Sequence, residues 1–406
     1  MRYAIIGSAL AGNKGAAAML ESAVQQLGER DPEARFVLLS MYPRSDAEQN
    51  TYPAMTVLDA SPLRLGVLLN SAALLHRLLP PLRGTIQNAV PEIKALANAD
   101  VLLDQGGITF VDGRGKFLIY NVASILPAIF LKTPVVKCAQ AMGPFREPAN
   151  RWAARTFLPK MAAIVSRGAK THEHLEEMHL QNVTAGADLA FTLDVTPEDA
   201  AAAEAAVDMS FFAGGDVVGV SPSAVLRKAA DARGEDYVGE VARLVDHITG
   251  TLGRPVFLVA HSARGNTDKT HNNDLPLCRE IQARVADKDK VLFVDAELGS
   301  QALRHLIGRC DVFVASRFHA MVSSLATGVP TLVIGWSHKY REVLDMFGLA
   351  DWALGHDAAT EEGVRERLGS LVEQREAVRA QIAERFPAVK AKALEQVDVI
   401  LRVARG

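Results

Sequence analysis

The chain has 406 residues, more than one hydrophobic core usually organises, since single cores stop growing near roughly 250–300 residues. Two domains are therefore expected. With 49% hydrophobic and 22% charged residues the composition is globular, which excludes disordered and fibrous classes, and a net charge of −3 gives no general field for a polyphosphate backbone. Nucleic acid is set aside as a partner.

The N-terminal run Tyr3–Ile6 is too short for a signal-peptide core. It reads as a strand, followed by a helix from about Gly15 to Gly28 and a strand at Phe36–Ser40, the rhythm of a parallel sheet with crossover helices. Residues 62–82 are strongly apolar and bracketed by prolines, but Arg64, Asn70, His76 and Arg77 interrupt them, which suits an amphipathic helix rather than a spanning one. Two readings stand: a helix packed on its own domain, or a surface helix in peripheral contact with membrane or a lipid-linked substrate. Further strands are expected at Val101–Leu103, Val135–Ala139, Ala163–Ser166 and Val183–Ala185, closing an N-terminal α/β domain over residues 1–192.

An Ala-rich acidic stretch, 193–215, reads as a linker, either a short linking helix or a tether. A second α/β series follows over 216–385, with strands at Val217–Val220, Val256–Ala260, Val291–Val294, Val312–Ala315 and Thr331–Ile334, and a C-terminal helix over 386–406 is expected to pack back across the domain boundary. Cys138, Cys278 and Cys310 are widely spaced in apolar stretches without a C-x-x-C pair, as buried thiols of a cytoplasmic protein would be.

In open parallel sheets ligands collect at the carboxyl ends of the strands, so those ends carry the candidate residues. After the first strand comes a Gly-rich turn that matches neither a dinucleotide fingerprint nor a Walker loop. It offers Asn13, Lys14 and Gly15 to a substrate. Gln105, Gly106 and Gly107 follow Val101–Leu103, Gln140 follows Val135–Ala139, and Arg167 emerges from Ala163–Ser166 where its fork could meet an anion. The strongest pattern is Ser316-Arg317-Phe318-His319-Ala320, a buried strand leading into an apolar helix. It sets Arg317 and His319 where free N–H groups favour an anion and an imidazole can move a proton near neutral pH. His261 and Lys339, the latter read as part of a loop, stand at equivalent strand ends. Asp and His lack metal-ligand spacing, so no metal is expected.

In this order the motifs resemble the polysaccharide pyruvyl transferase family. The stretches that carry the resemblance are Gly12–Ala16 (G-N-x-G-A), Asp100 to Gly107, Gln140–Phe145 (Q-x-x-G-P-F), Arg167, Ala187–Phe191 (A-D-L-A-F), His261 with Asn273-Asp274, Ser316–Ala320 (S-R-F-H-A) and Gly328–Pro330 (G-V-P). Two positions depart from the family's habit: Ala16 stands where an acid is common, and Gly168 follows the arginine where Asp is common.

The resemblance implies two Rossmann-like α/β domains facing across a cleft, glycosyltransferase-B-like, with the acceptor on the N-terminal side and the donor on the C-terminal side. It implies phosphoenolpyruvate as co-substrate without a further cofactor, and a saccharide acceptor, lipid-linked in one version, that receives a pyruvate ketal in cell-surface polysaccharide biosynthesis. Arg317 and His319 match the family's donor-binding and acid-catalytic R-x-H, and Arg167 matches a further anion-binding arginine. The competing expectations are a nucleotide-sugar-dependent glycosyltransferase of the same fold and a non-catalytic saccharide-binding protein.

Overall fold

The computed structural model describes residues 1–264, 272–335, 338–356 and 359–406, without the side chain of His338. It divides into two compact units. The first comprises Met1–Ala11, Met19–Thr192 and Lys390–Gly406, and the second comprises Gly12–Ala18 and Leu193–Val389. The Asn13–Gly15 turn, expected as part of the N-terminal domain, thus belongs to the second unit.

The strands in chain order are β1 (Arg2–Ile6), β2 (Gly12–Asn13), β3 (Arg35–Ser40), β4 (Met55–Asp59), β5 (Val101–Asp104), β6 (Ile108–Val111), β7 (Val135–Gly143), β8 (Ala163–Arg167) and β9 (Val183–Gly186). They are followed by β10 (Val218–Ser221), β11 (Val256–Leu258), β12 (Ser262–Ala263), β13 (Val291–Phe293), β14 (Val312–Ala315), β15 (Thr331–Gly335) and β16 (Ala353–Gly355).

In the first unit the sheet runs β4-β3-β1-β5-β7-β8-β9, every pair parallel, with β6 alongside the end of β7. In the second it runs β13-β11-β10-β14-β15-β16, again all parallel. Both are doubly wound sheets whose order reverses at the first strand, between β1 and β5 in one unit and between β10 and β14 in the other. Ligands of such sheets bind at this switch point. Burial on both faces explains the near-continuous Val/Ile/Leu/Ala composition of these strands, since crossover helices cover a parallel sheet on each side.

Three expectations are corrected. Residues 62–82 do not form one helix: a wide turn over Arg64–Leu69 runs into a helix at Asn70–Leu78, and the prolines that follow form a short 3₁₀ turn at Pro80–Leu82. Of the two forms expected for 193–215, a short linking helix and a tether, the helix is present, but it packs inside the second unit rather than bridging the domains. Thr196 caps a helix at Pro197–Ala205, which packs on the helix Ser300–Ile307 inside the second unit. The separate C-terminal helix is the end of one continuous helix, Glu361–Arg405, that carries Pro387 in its interior. Its last residues, among them Val397, Ile400 and Leu401, pack with Tyr3, Ile5 and Leu38 in the core of the first unit.

Candidate active site

In the second unit β14 is buried throughout and is followed by Ser316, whose N–H donates to the Ser221 carbonyl at 2.9 Å and so ties together the two strands of the switch point. Arg317 keeps an extended backbone as N-cap of the helix Phe318–Ala326, so His319 lies in that helix's first turn, where backbone N–H groups lack helical partners and the dipole is positive.

Asp274 organises this strand end. Fully buried at the start of the helix Asp274–Arg284, it accepts the N–H groups of Ala224 and Ser262, each at 2.9 Å, and both edges of the Arg317 guanidinium, Nε at 2.9 Å and Nη2 at 2.5 Å. The Arg317 Nη1 donates to Asn272 Oδ1 at 2.8 Å. Burial works against the Arg317 charge, but the Asp274 carboxylate outweighs it and raises the guanidinium pKa above its usual value. Arg317 is thus a fixed cation with a planar edge tied in place.

His261, buried just after β11, titrates well below an ordinary histidine. Desolvation is the main cause, and the neighbouring His319, Arg317 and Arg304 add to it. Its imidazole is neutral at neutral pH. The strand end of β14, His261 and the early turn meet here, because β2 pairs antiparallel with β12, placing Asn13 opposite Ser262. A Cβ on Gly15 would lie 2.0 Å from His319 Nδ1, so only glycine lets the imidazole come this close to the turn. Asn13 is exposed, and its Oδ1 accepts the Gly15 N–H at 3.1 Å as a cap for the helix Lys14–Arg30.

Lys14 takes a different role from the expected one. It is buried, with 1% of its side chain exposed, and its ammonium pairs with Glu297 at 2.8 Å, while Glu297 also accepts the Gly12 N–H at 2.9 Å. Lys14 holds the turn rather than offering itself to a ligand. Lys339 lies on the helix His338–Met346 instead of in a loop, with its ammonium 5.0 Å from the Phe318 ring centre and 5.4 Å from that of Tyr340. Sequence reasoning missed Glu297 and Arg304 and gave Asp274 no task. Their partners are remote in sequence, so no local pattern marks them.

In the first unit Arg167 ends β8, almost wholly buried, and donates to Asp188 Oδ2 and to the Gly107 carbonyl, each at 2.8 Å. The Gly168 that departs from the family's habit has φ +89°, a backbone conformation that an Asp would adopt only under strain. Gln105 and Gln140 correct a second expectation. Gln105 accepts the Ser8 hydroxyl at 2.9 Å and donates to the Met19 carbonyl. Gln140 donates to Asp104 through its carbonyl at 2.6 Å and its Oδ1 at 2.9 Å, and accepts Thr109. Both are fully buried and brace the strand ends instead of contacting a substrate. Gly106 and Gly107 remain as backbone at the β1/β5 switch point, with the Gly106 N–H held by Asp104 Oδ1 at 3.0 Å. Asp104 also pairs with the buried Lys137.

A cavity of about 580 Å³ lies over the same strand ends in the second unit, lined by Ser221, Tyr237, Val314, Ser316, Ile334 and His356 among others. Neither Arg317 nor His319 lines it, so the charged side-chain cluster and this cavity are separate features of the same strand ends.

The sequence profile of the polysaccharide pyruvyl transferase family matches residues 13–338. The chain belongs to this family. The amylovoran biosynthesis protein AmsJ of Erwinia amylovora is 23% identical over 403 residues, covering 94% of this chain and 95% of that protein. Among solved structures, the UDP-GlcNAc 2-epimerase of Neisseria meningitidis aligns with a TM-score of 0.62 at 11% identity, covering 99% of this chain and all of that one. A putative UDP-N-acetylglucosamine 2-epimerase from Listeria monocytogenes aligns at 0.64 and 12%, covering 99% and 95%. A UDP-glucose:anthocyanidin 3-O-glucosyltransferase aligns at 0.55 and 12%, covering 99% and 98%. At these identities the structural likeness establishes the fold, two Rossmann-like domains of the glycosyltransferase-B type. Membership makes this pyruvyl transferase an enzyme of polysaccharide biosynthesis with a saccharide as acceptor.

Proposed function

We propose that the chain transfers the pyruvyl group of phosphoenolpyruvate onto two hydroxyls of a saccharide as a ketal. The observation that carries this reading is the Arg317–His319 pair at a helix start, with Arg317 fixed by Asp274 and a neutral His261 alongside, in a member of this family.

The reaction needs a proton on the methylene carbon, an electron-poor C2, attack by two sugar oxygens and departure of phosphate. His319 as imidazolium donates the proton that turns CH₂ into CH₃. One sugar oxygen then bonds to C2, phosphate leaves by cleavage of its C–O bond, and the second oxygen closes the ketal. Of the two hydroxyl protons released, one replaces that of His319 and the other leaves with phosphate. Arg317 meets the donor's phosphate or carboxylate, and the electrostatics are in place before charge develops. A neutral His261 keeps a second positive charge from competing for that anion. Lys339, close to Phe318, adds cationic character to the donor side, and the exposed Asn13 meets the substrate. Arg167, Gly106 and Gly107 enter this reading through the family resemblance alone. We place the enzyme in the cytoplasm and its turnover as independent of metal, to be checked by resistance to a chelator. The three cysteines are buried and unpaired, and burial raises each thiol pKa, as inert thiols require.

The test is phosphate release from phosphoenolpyruvate with a panel of soluble and lipid-linked saccharides. Saccharide-dependent release that His319→Ala abolishes supports the reading, while phosphoenolpyruvate that neither binds in calorimetry nor turns over with any acceptor overturns it. A nucleotide-sugar-dependent transferase is the second reading, drawn from the cavity over β10, β14 and β15. Label moving from a nucleotide sugar into product would favour it.

A further inference from the structure

We infer that one face of the first unit docks on an anionic lipid bilayer. Among the described residues thirteen large apolar side chains are exposed, and eleven of them belong to three segments of this unit, Leu63 to Leu82, Phe117 with Ile119, and Trp152. Leu63 is 82% exposed, Ile119 79%, and Val67 and Trp152 65% each. The segments are neighbours: the helix Gly115–Ala123 packs on the turn Arg64–Leu69 and on the helix Pro148–Phe157, which carries Trp152. Eleven exposed large apolar side chains on adjoining elements differ from the singly scattered ones of an ordinary monomer surface and mark an interaction face.

The local structure explains why so much remains outside. Leu65, Leu69, Ala72, Ala73 and His76 form the buried stripe of the Arg64–Leu78 stretch, and Val67, Leu68, Leu74, Leu75 and Leu78 occupy the opposite side, where an ordinary surface helix would be polar. The stretch thus fits the first reading of its sequence, a segment packed on its own domain, and the exposed side is what the second reading requires.

The charge around this face selects the occupant. Neither 60–91 nor 113–146 contains an Asp or Glu, whereas Arg77, Arg83, Lys116, Lys132, Arg155 and Lys160 are exposed in or beside these segments. The Lys116 ammonium lies 5.1 Å from the Phe117 ring centre and the Lys160 ammonium 5.4 Å from that of Phe157, so basic heads accompany aromatic bodies as they do in membrane-surface segments. A two-fold dimer through this face would set arginines and lysines against their own copies, whereas an anionic headgroup layer neutralises them. Docking there suits a saccharide acceptor carried on a lipid. That extension rests on the proposed function, while the docking does not.

The experiment is flotation of the full chain with vesicles of phosphatidylcholine alone or mixed equally with phosphatidylglycerol, needing no substrate, so its failure is separate from failure of the pyruvyl transfer reading. The chain is expected to float with the mixed vesicles, at least tenfold more weakly with phosphatidylcholine alone, and less as salt rises. The variant Leu63→Ser/Leu78→Ser/Ile119→Ser, confined to exposed positions, is expected to lose at least tenfold in binding with an unchanged unfolding midpoint. A chain that stays in solution with the mixed vesicles, or a triple variant that binds as the parent does, overturns the inference. So does a dimer in light scattering that the same substitutions dissociate, because the face would then belong to a second copy.

Discussion

Gly15→Ala is a perturbation of one methyl group whose consequence follows from the geometry. The new Cβ would lie 2.0 Å from His319 Nδ1, 2.3 Å from its Cγ and 2.7 Å from its Cβ. Rotating the imidazole cannot relieve the last of these contacts, so the turn and the helix start must part. Ordinary van der Waals contact requires a retreat of about 1.4 Å at the ring, and a misplacement of about 1 Å can cost about 100-fold in rate. We expect kcat for saccharide-dependent phosphate release to fall about 100-fold, equivalent to about 2.7 kcal/mol in the barrier. Alanine has a higher helix propensity than glycine by about 1 kcal/mol, which partly offsets the roughly 1–3 kcal/mol of overpacking, so the chain stays folded. Parent-like turnover by Gly15→Ala would refute the placement of His319 at the reacting centre.

Other consequences are equally direct. Asp274→Asn removes the charge that holds Arg317 in a buried site, and breaking such a pair costs about 3–5 kcal/mol. Denaturant unfolding should show that loss, and calorimetry should show weakened binding of phosphoenolpyruvate. In the first unit Lys137→Met strands the buried Asp104 carboxylate and should cost a similar amount. The double variant Asp104→Asn/Lys137→Met should be more stable than Lys137→Met alone, since it buries no unpaired charge. His261 has a depressed pKa when folded, so it binds fewer protons in the folded than in the unfolded chain. Its contribution is present above the unfolded value near pH 6.5 and is lost as pH falls towards the folded value. Between these limits unfolding free energy should drop by about 1.4 kcal/mol per pH unit on its account, and His261→Gln should flatten the profile measured from pH 7.5 to 5 by that slope.

Both parallel sheets were legible in the sequence because strands covered on two faces are written in Val, Ile and Leu, bounded by Gly, Pro or polar residues. β4 escaped because MTVLD at the sheet edge is only partly buried and carries little pattern, and β2 because two residues have no periodicity. The C-terminal helix was set apart from the preceding one at 386, yet the helix continues through Pro387. Arg317, His319 and His261 could be found since a strand end running into a helix is a local signal. The tasks of Lys14 and Gln140 could not. Lys14 is decided by Glu297, 283 residues away, and Gln140 by Asp104, 36 residues away, so two polar side chains that looked ready for a ligand are spent on the scaffold. The apolar run at 62–82 was visible, but its partners at Phe117, Ile119 and Trp152 are assembled only by the fold.

The central claim is that carbon from phosphoenolpyruvate becomes a ketal on a saccharide. Its most direct measurement is carbon-13 magnetic resonance of the product formed from phosphoenolpyruvate labelled at C2 and C3, with lipid-linked and soluble acceptors and with the parent chain and His319→Ala. The account predicts a labelled ketal carbon bonded to a labelled methyl group in the saccharide, formed by the parent and absent from the variant. Unlabelled product, a labelled enol ether in place of the ketal, or equal labelling by His319→Ala would contradict it.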